Sequence, residues 1–125
     1  MHCKSNLSLK HKVPVDIIVV TRNAKANLKR CLNSVLKNTE GWDFLITIID
    51  NGSSDGTKEY LKDDSLRGIK ILSFDKNVGL AKAINVGVKN THRDLIVLLD
   101  DDCEVTPGWR NFSASLTSNG LHNYF

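Results

Sequence analysis

The sequence predicts an α/β fold with a doubly wound, mostly parallel sheet. Four short apolar segments alternate with helical segments in the order β-α-β-α-β-α-β, and short links join them. Connections of this size join parallel strands, and crossovers to both faces give a doubly wound sheet. The clearest segment is Leu95–Leu99, whose unbroken apolar run is typical of a strand buried on both faces.

The spacing of apolar residues predicts the other elements. Further strands are predicted at Val15–Val20, Phe44–Ile49 and Ile69–Phe74. An amphipathic helix is predicted over residues 25–38, with an apolar stripe of Leu28, Leu32, Val35 and Leu36. A short helix is predicted near residues 57–62, after the turn-forming residues 51–56. The stripe of the last helix consists of Leu80, Ala83, Ile84 and Val88.

Composition and charge indicate one ordinary globular domain. The chain has 125 residues, of which 41% are hydrophobic and 25% are charged. Its net charge of +3 arises from Lys4, Lys10 and Lys12, since residues 14–125 carry 14 basic and 14 acidic side chains. This balance argues against a nucleic-acid-binding surface. We expect residues 1–13 to be a disordered basic leader and residues 14–125 to be the folded part.

The cysteines and the hydropathy pattern indicate the compartment. Cys3, Cys31 and Cys103 have neither zinc-ligand nor disulfide-framework spacing, so reduced thiols are expected. The sequence contains no apolar run long enough to span a bilayer. We expect a cytoplasmic protein, with peripheral attachment to a membrane in the full-length protein as the alternative.

Polar residues follow each predicted strand, at Thr21–Asn23, Asp50–Asn51, Asp75–Gly79 and Asp100–Asp102. Carboxyl ends of parallel strands share one edge of a sheet, where open α/β folds bind ligands. Three adjacent carboxylates repel one another, and a divalent cation such as Mg²⁺ or Mn²⁺ would relieve this repulsion. The sequence therefore predicts a polar ligand and a metal at this edge. A solvated acidic turn is the alternative for the three aspartates.

Four motifs occur in this order: IIVVTRNA, IIDNGSSDGT, NVGLAKAINVGV and LIVLLDDDCEVTPGW. Together they resemble the nucleotide-sugar-binding half of a family 2 glycosyltransferase with the GT-A fold, over residues 14–109. The Asp-Asn-Gly-Ser variant of the second motif is similar to the rhamnosyltransferase-like branch. The resemblance implies a metal-dependent, inverting transfer of a sugar from a UDP- or dTDP-linked donor. The acceptor, a glycan or a lipid-linked saccharide, is not identified.

The resemblance also implies roles for individual residues. The residues matched to nucleotide-sugar binding are Thr21, Arg22, Asn23, Asp50, Asn51, Asn77, Gly79, Lys82, Asp100 and Asp101. Asp102 matches the metal ligand of the D-x-D motif, together with Asp100, and the cofactor implied is Mg²⁺ or Mn²⁺. For Lys82, a surface position on a helix is the alternative.

The resemblance covers the donor half alone. The catalytic base of the family lies well beyond the D-x-D strand, and this chain ends 23 residues after Asp102. We therefore expect a partial GT-A domain, truncated after that strand, that carries no catalytic base and self-associates through exposed apolar surface. The alternative hypothesis is a nucleotide-sugar-binding or inactive fragment without transferase activity.

Overall fold

The computed structural model describes residues 14–109, which form a four-stranded parallel sheet with helices on both faces. The elements are β1 (Val15–Thr21), α1 (Lys25–Asn38), β2 (Phe44–Asn51), α2 (Thr57–Tyr60), a 3-10 helix (Asp64–Leu66), β3 (Lys70–Phe74), α3 (Leu80–Lys89) and β4 (Leu95–Asp100). The predicted α/β class and element order are confirmed. The basic leader and residues 110–125 lie outside the described residues. Among the helices described, none has the length and apolar character needed to cross a bilayer.

The strand order is β3-β2-β1-β4, and every neighbouring pair is parallel. The chain moves outward from β1 to β3 and then returns past β1 to form β4 on the other side. The strand order therefore reverses at the β1–β4 pair. Open α/β sheets bind their ligands outside the carboxyl ends of the strands at such a point.

The larger core lies between α1 and one face of the sheet. Its fully buried members include Ile17, Val19, Leu28, Cys31, Leu32, Val35 and Ile48. Trp42 and Trp109 stack at the margin of this core, with ring centroids 5.2 Å apart. The prediction that Leu36 belongs to the apolar stripe is wrong, because Leu36 is 46% exposed and Cys31 occupies the stripe instead. Leu36 lies at the edge of an arc that is too narrow to include it.

The smaller core lies on the opposite face, where α3 packs on β1 and β2. Ile18, Ile49 and Ala83 form its buried part. Gly87 permits the close approach of α3, since a Cβ there would lie 2.4 Å from Cδ1 of Ile49. The prediction that Leu80 belongs to the apolar stripe that faces the core is wrong, because Leu80 is 59% exposed and the adjacent residues Ala81 and Lys82 are exposed as well.

The predicted burial of Leu95–Leu99 on both faces is also wrong. These residues form β4 as expected, but among residues 14–109 β4 is at the edge of the sheet, and its side chains are only half-buried. An apolar run records what packs above and below a strand, and it does not record whether a further strand lies beside it. The edge position leaves Asp100, at the end of β4, exposed.

Candidate functional site

The register of the strands brings the predicted polar clusters together. Thr21 pairs with Asp50 across β1 and β2, and Val20 pairs with Asp100 across β1 and β4. Asn51 pairs with Phe74 at the end of β3. The four polar segments therefore share one edge, which we call the rim: residues 21–23, 50–54, 75–79 and 100–103. The predicted convergence of strand ends is confirmed.

Asp101, the middle residue of the acidic triad, is turned toward β1. Its Oδ2 accepts a hydrogen bond of 2.9 Å from Oγ1 of Thr21, a residue that is only 1% exposed. Burial raises the pKa of Asp101, although the hydrogen bond from Thr21 lowers it, and the charges of Asp102 and Asp100 act in the same direction as burial. The contact joins the ends of two neighbouring strands, so Asp101 has a structural part in the rim.

Asp100 and Asp102 form a separate group with Cys103. One ligand atom from each of these residues lies within 4.8 Å of the other two. The backbone N–H of Cys103 donates to the Asp100 carbonyl at 3.0 Å, which closes the turn that brings the side chains together. Two exposed carboxylates suit Mg²⁺ or Mn²⁺, and a thiol adds a softer donor. The donor set is compatible with a divalent cation, and metal binding by Asp100 and Asp102 stays a prediction.

Cys103 is a member of this group that the sequence motifs do not predict. The sequence predicts only a reduced thiol at this position, whereas the turn brings the sulfur within 4.8 Å of a carboxylate oxygen of both Asp100 and Asp102. The signal available in the sequence was its position directly after three acids. Cys31 lies in the core below this loop, and burial, followed by the negative charges of the loop, raises its pKa to about 12.

Asp50 is a fully buried carboxylate at the end of β2. Its Oδ1 accepts the backbone N–H of Ser53 at 3.0 Å. Its Oδ2 is buried and accepts no hydrogen bond within the part of the chain that the structure describes. A buried oxygen without a donor is costly, by about 1–3 kcal/mol for a neutral group and more for a charge. A ligand with an N–H or O–H group at the rim would satisfy this oxygen.

Asn51 has a different structural role from Asp50, because both ends of its side-chain amide are hydrogen-bonded. Its Nδ2 donates to Oδ1 of Asn77 at 3.0 Å, and its Oδ1 accepts the N–H of Val78 at 2.9 Å. Asn77 also accepts the N–H of Gly79 at 2.9 Å. These bonds attach the loop before α3 to the end of β2. Direct contact of Asn51, Asn77 and Gly79 with a nucleotide sugar stays a prediction.

Asn23 joins the turns that follow β1 and β2. It has a positive φ of 51°, its N–H donates to Oγ of Ser53 at 2.9 Å, and its Oδ1 accepts the N–H of Ser54 at 2.7 Å. Arg22 is exposed beside it. Lys82 is exposed on the first turn of α3, and no ion pair or hydrogen bond within residues 14–109 links it to another predicted site residue. A donor contact by Arg22 or Lys82 stays a prediction.

Several known proteins are similar in sequence to this chain. A relative from Haloferax volcanii, "Glycosyltransferase AglE", is 31% identical over 107 residues, covering 83% of this chain and 35% of the relative. "Dolichol-phosphate mannosyltransferase" from Pyrococcus furiosus is 28% identical over 94 residues, covering 74% of this chain and 27% of the relative. The chain therefore spans about a third of the length of these relatives.

Solved structures share the fold. S. aureus TarS 1–349 in complex with UDP superposes with a TM-score of 0.68 at 23% identity, over 85% of this chain and 32% of that one. The mannosyltransferase PcManGT from Pyrobaculum calidifontis, in complex with GDP-Man and Mn²⁺, superposes with a TM-score of 0.72 at 16% identity. This match covers 93% of this chain and 38% of PcManGT. The model of "Glycosyl transferase family 2" matches residues 16–110. This chain, with its motifs on one rim of an α/β sheet, belongs to glycosyl transferase family 2.

Proposed function

We propose that this chain is the donor-binding part of a metal-dependent, inverting glycosyltransferase. The full-length enzyme would transfer a sugar from a nucleoside-diphosphate sugar to an acceptor hydroxyl. The observation that supports the proposal most is the meeting of strand ends at the rim, where Thr21, Asp50 and residues 100–103 lie side by side. Family membership supports the same chemistry.

Asp50 supports a nucleoside at the rim. Its Oδ2 accepts no hydrogen bond from residues 14–109 and needs a donor, and the imide N–H of uracil or thymine is a donor of the required kind. We propose that the base lies beside Asp50, with Thr21, Arg22 and Asn23 along its edge. UDP- and dTDP-linked sugars carry such a base, so both are candidate donors. A solved structure of the same fold contains UDP.

Asp100 and Asp102 support a metal at the diphosphate. Three carboxylates at residues 100–102 would repel an incoming diphosphate, so its binding should require a cation between them. We propose that Asp100 and Asp102 hold Mg²⁺ or Mn²⁺. When bound, the cation neutralises the negative charge that develops on the leaving diphosphate. Asp101 keeps its hydrogen bond to Thr21 and maintains the spacing between the two strand ends.

We propose that the catalytic base of the full-length enzyme lies in a region that corresponds to the part of the relatives outside the match with this chain. The base would take the proton from the acceptor hydroxyl as that hydroxyl attacks the sugar. A second candidate is a chain that binds the donor without transferring the sugar. Sugar transfer by the 125-residue chain itself would exclude this second candidate.

Calorimetric titration tests the donor site. UDP and dTDP are titrated into the protein with and without Mn²⁺, and binding is expected only with the metal. Asp102→Asn should weaken nucleotide binding by about tenfold or more, because it removes a charged ligand. Asp94→Asn, at an exposed acid at the other end of β4, is the matched control and should bind like the wild type. Metal-independent binding, or an Asp102→Asn protein that binds normally, contradicts the proposal.

A further inference from the structure

Helix α1 presents a row of polar side chains to the segment that contains and follows the acidic triad. Cys31, Ser34 and Asn38 lie on one face of the helix, at spacings of three and four residues. Sγ of Cys31 lies 3.7 Å from the Asp100 carbonyl oxygen. Oγ of Ser34 accepts the N–H of Val105 at 3.0 Å, and Nδ2 of Asn38 donates to the Val105 carbonyl at 3.0 Å.

Both backbone groups of Val105 are therefore bonded to side chains of α1. Val105 lies outside the strands, so these groups have no sheet partner. The hydroxyl of Ser34 also donates to the Cys31 carbonyl at 2.7 Å, which directs its lone pairs away from the helix axis and toward Val105. The side chains of Ser34 and Asn38 therefore bond the N–H and the carbonyl of Val105, the two backbone groups that a neighbouring strand would otherwise bond.

Further contacts attach the segment on either side of Val105. Nε1 of Trp109 donates to Oγ1 of Thr39 at 3.1 Å, and both residues are buried. Arg30 and Glu104 form an ion pair at 3.6 Å, but both side chains are largely exposed and contribute little. Residues 104–109 therefore run along α1 with the buried Trp109 bond at their end.

We propose that Ser34 and Asn38 are positioning residues for the metal ligands Asp100 and Asp102. This inference rests on the proposed function. Ser34 and Asn38 fix Val105, and Val105 follows the turn that holds the two carboxylates and Cys103 within 4.8 Å of one another. Like charges at this spacing repel before a cation binds, so a loop free to move would separate them. Attachment to α1 holds the ligands together in advance and so lowers the free-energy cost of binding.

Mn²⁺ binding tests the positioning role. Affinity is measured from the electron paramagnetic resonance signal of free Mn²⁺, and independently from the rise in Tm that Mn²⁺ causes in each variant. Ser34→Ala and Asn38→Ala should each weaken binding by about tenfold. Asn33→Ala, on the exposed side of the same helix, is the matched control and should bind normally. Ser34→Thr keeps the hydroxyl and should restore most of the affinity.

The outcomes separate the two proposals. If the wild type does not bind Mn²⁺, the proposed metal site is wrong and the positioning role falls with it. If the wild type binds and Ser34→Ala and Asn38→Ala bind equally well, only the positioning role is wrong. The rise in Tm is compared with and without metal within each variant, so a loss of basal stability cancels. Should Asn38→Ala fail to fold, Asn38→Gln, which displaces the amide by one methylene, takes its place in the same measurement.

Discussion

Gly52 lies where the turn after β2 meets the loop between β3 and α3. Its φ is +80°, and a Cβ at this position would lie 2.5 Å from the carbonyl carbon of Lys76 and 2.6 Å from the backbone nitrogen of Asn77. Real Cβ atoms essentially never come within 3.0 Å of such neighbours. The obstructing atoms belong to the backbone, so no side-chain rotation relieves the clash. We expect Gly52→Ala to displace the whole loop.

The expected loss of stability has two parts. A residue with a side chain at positive φ costs about 1–2 kcal/mol, and forcing an extra carbon into a filled space costs about 1–3 kcal/mol. Gly52→Ala should therefore lower the free energy of unfolding by about 2–5 kcal/mol. Gly68 is the matched control, because its φ is +92° and no atom of the described residues lies within 4 Å of the position that a Cβ would occupy. Gly68→Ala should lower the free energy of unfolding only by the cost of a side chain at positive φ, about 1–2 kcal/mol.

Urea unfolding followed by tryptophan fluorescence measures this difference. The displaced loop carries Asn77 and Gly79, so Gly52→Ala should also weaken nucleotide binding in the presence of Mn²⁺, whereas Gly68→Ala should not. If Gly52→Ala loses no more stability than Gly68→Ala, the close approach of the two backbones does not constrain this position.

Two predictions follow from perturbed pKa values. Burial raises the pKa of Asp101, so the native state binds the carboxyl proton more tightly than the unfolded chain does. The free energy of unfolding in metal-free buffer should therefore fall as pH rises from about 3.9, the pKa of an unperturbed Asp, through the native pKa. Asp101→Asn, which can still accept the bond from Thr21, should remove this fall from the pH dependence of the urea midpoint; an identical profile would contradict the assignment. Burial raises the pKa of Cys31 to about 12, so iodoacetamide at about pH 8 should label Cys103 well before Cys31. Peptide mass spectrometry measures this order, and equal labelling of the two thiols in the folded protein would show that Cys31 is not shielded.

Much of the fold was predictable because its signals are local. The bounds of α1 match residues 25–38, since a one-sided apolar stripe is set by neighbours within two turns. The convergence of Asp50 and Asp100 was also predictable, because parallel strands have all their carboxyl ends at one edge. These features need only the order of elements along the chain and the direction in which each strand runs.

The details of the site depend on contacts between residues far apart in the sequence. Asp101 turns away from Asp100 and Asp102 because Thr21 lies 80 positions earlier at the end of the neighbouring strand. Ser34 and Asn38 reach Val105 across 71 and 67 positions. No periodicity in the sequence reports such pairs, since each depends on the path of a turn and on the register between strands.

The order of apolar and polar segments along the chain is enough to predict an α/β sheet with acidic residues at its carboxyl edge. Within residues 14–109, the packing of the elements places β4 at the edge of the sheet, bonds Asp101 to Thr21 and leaves one buried oxygen of Asp50 without a donor. This difference arises because apolar periodicity in the sequence reports only which face of a single helix or strand is buried. The partner of each polar atom is set by which other elements lie beside it, and this is known only when the chain is folded.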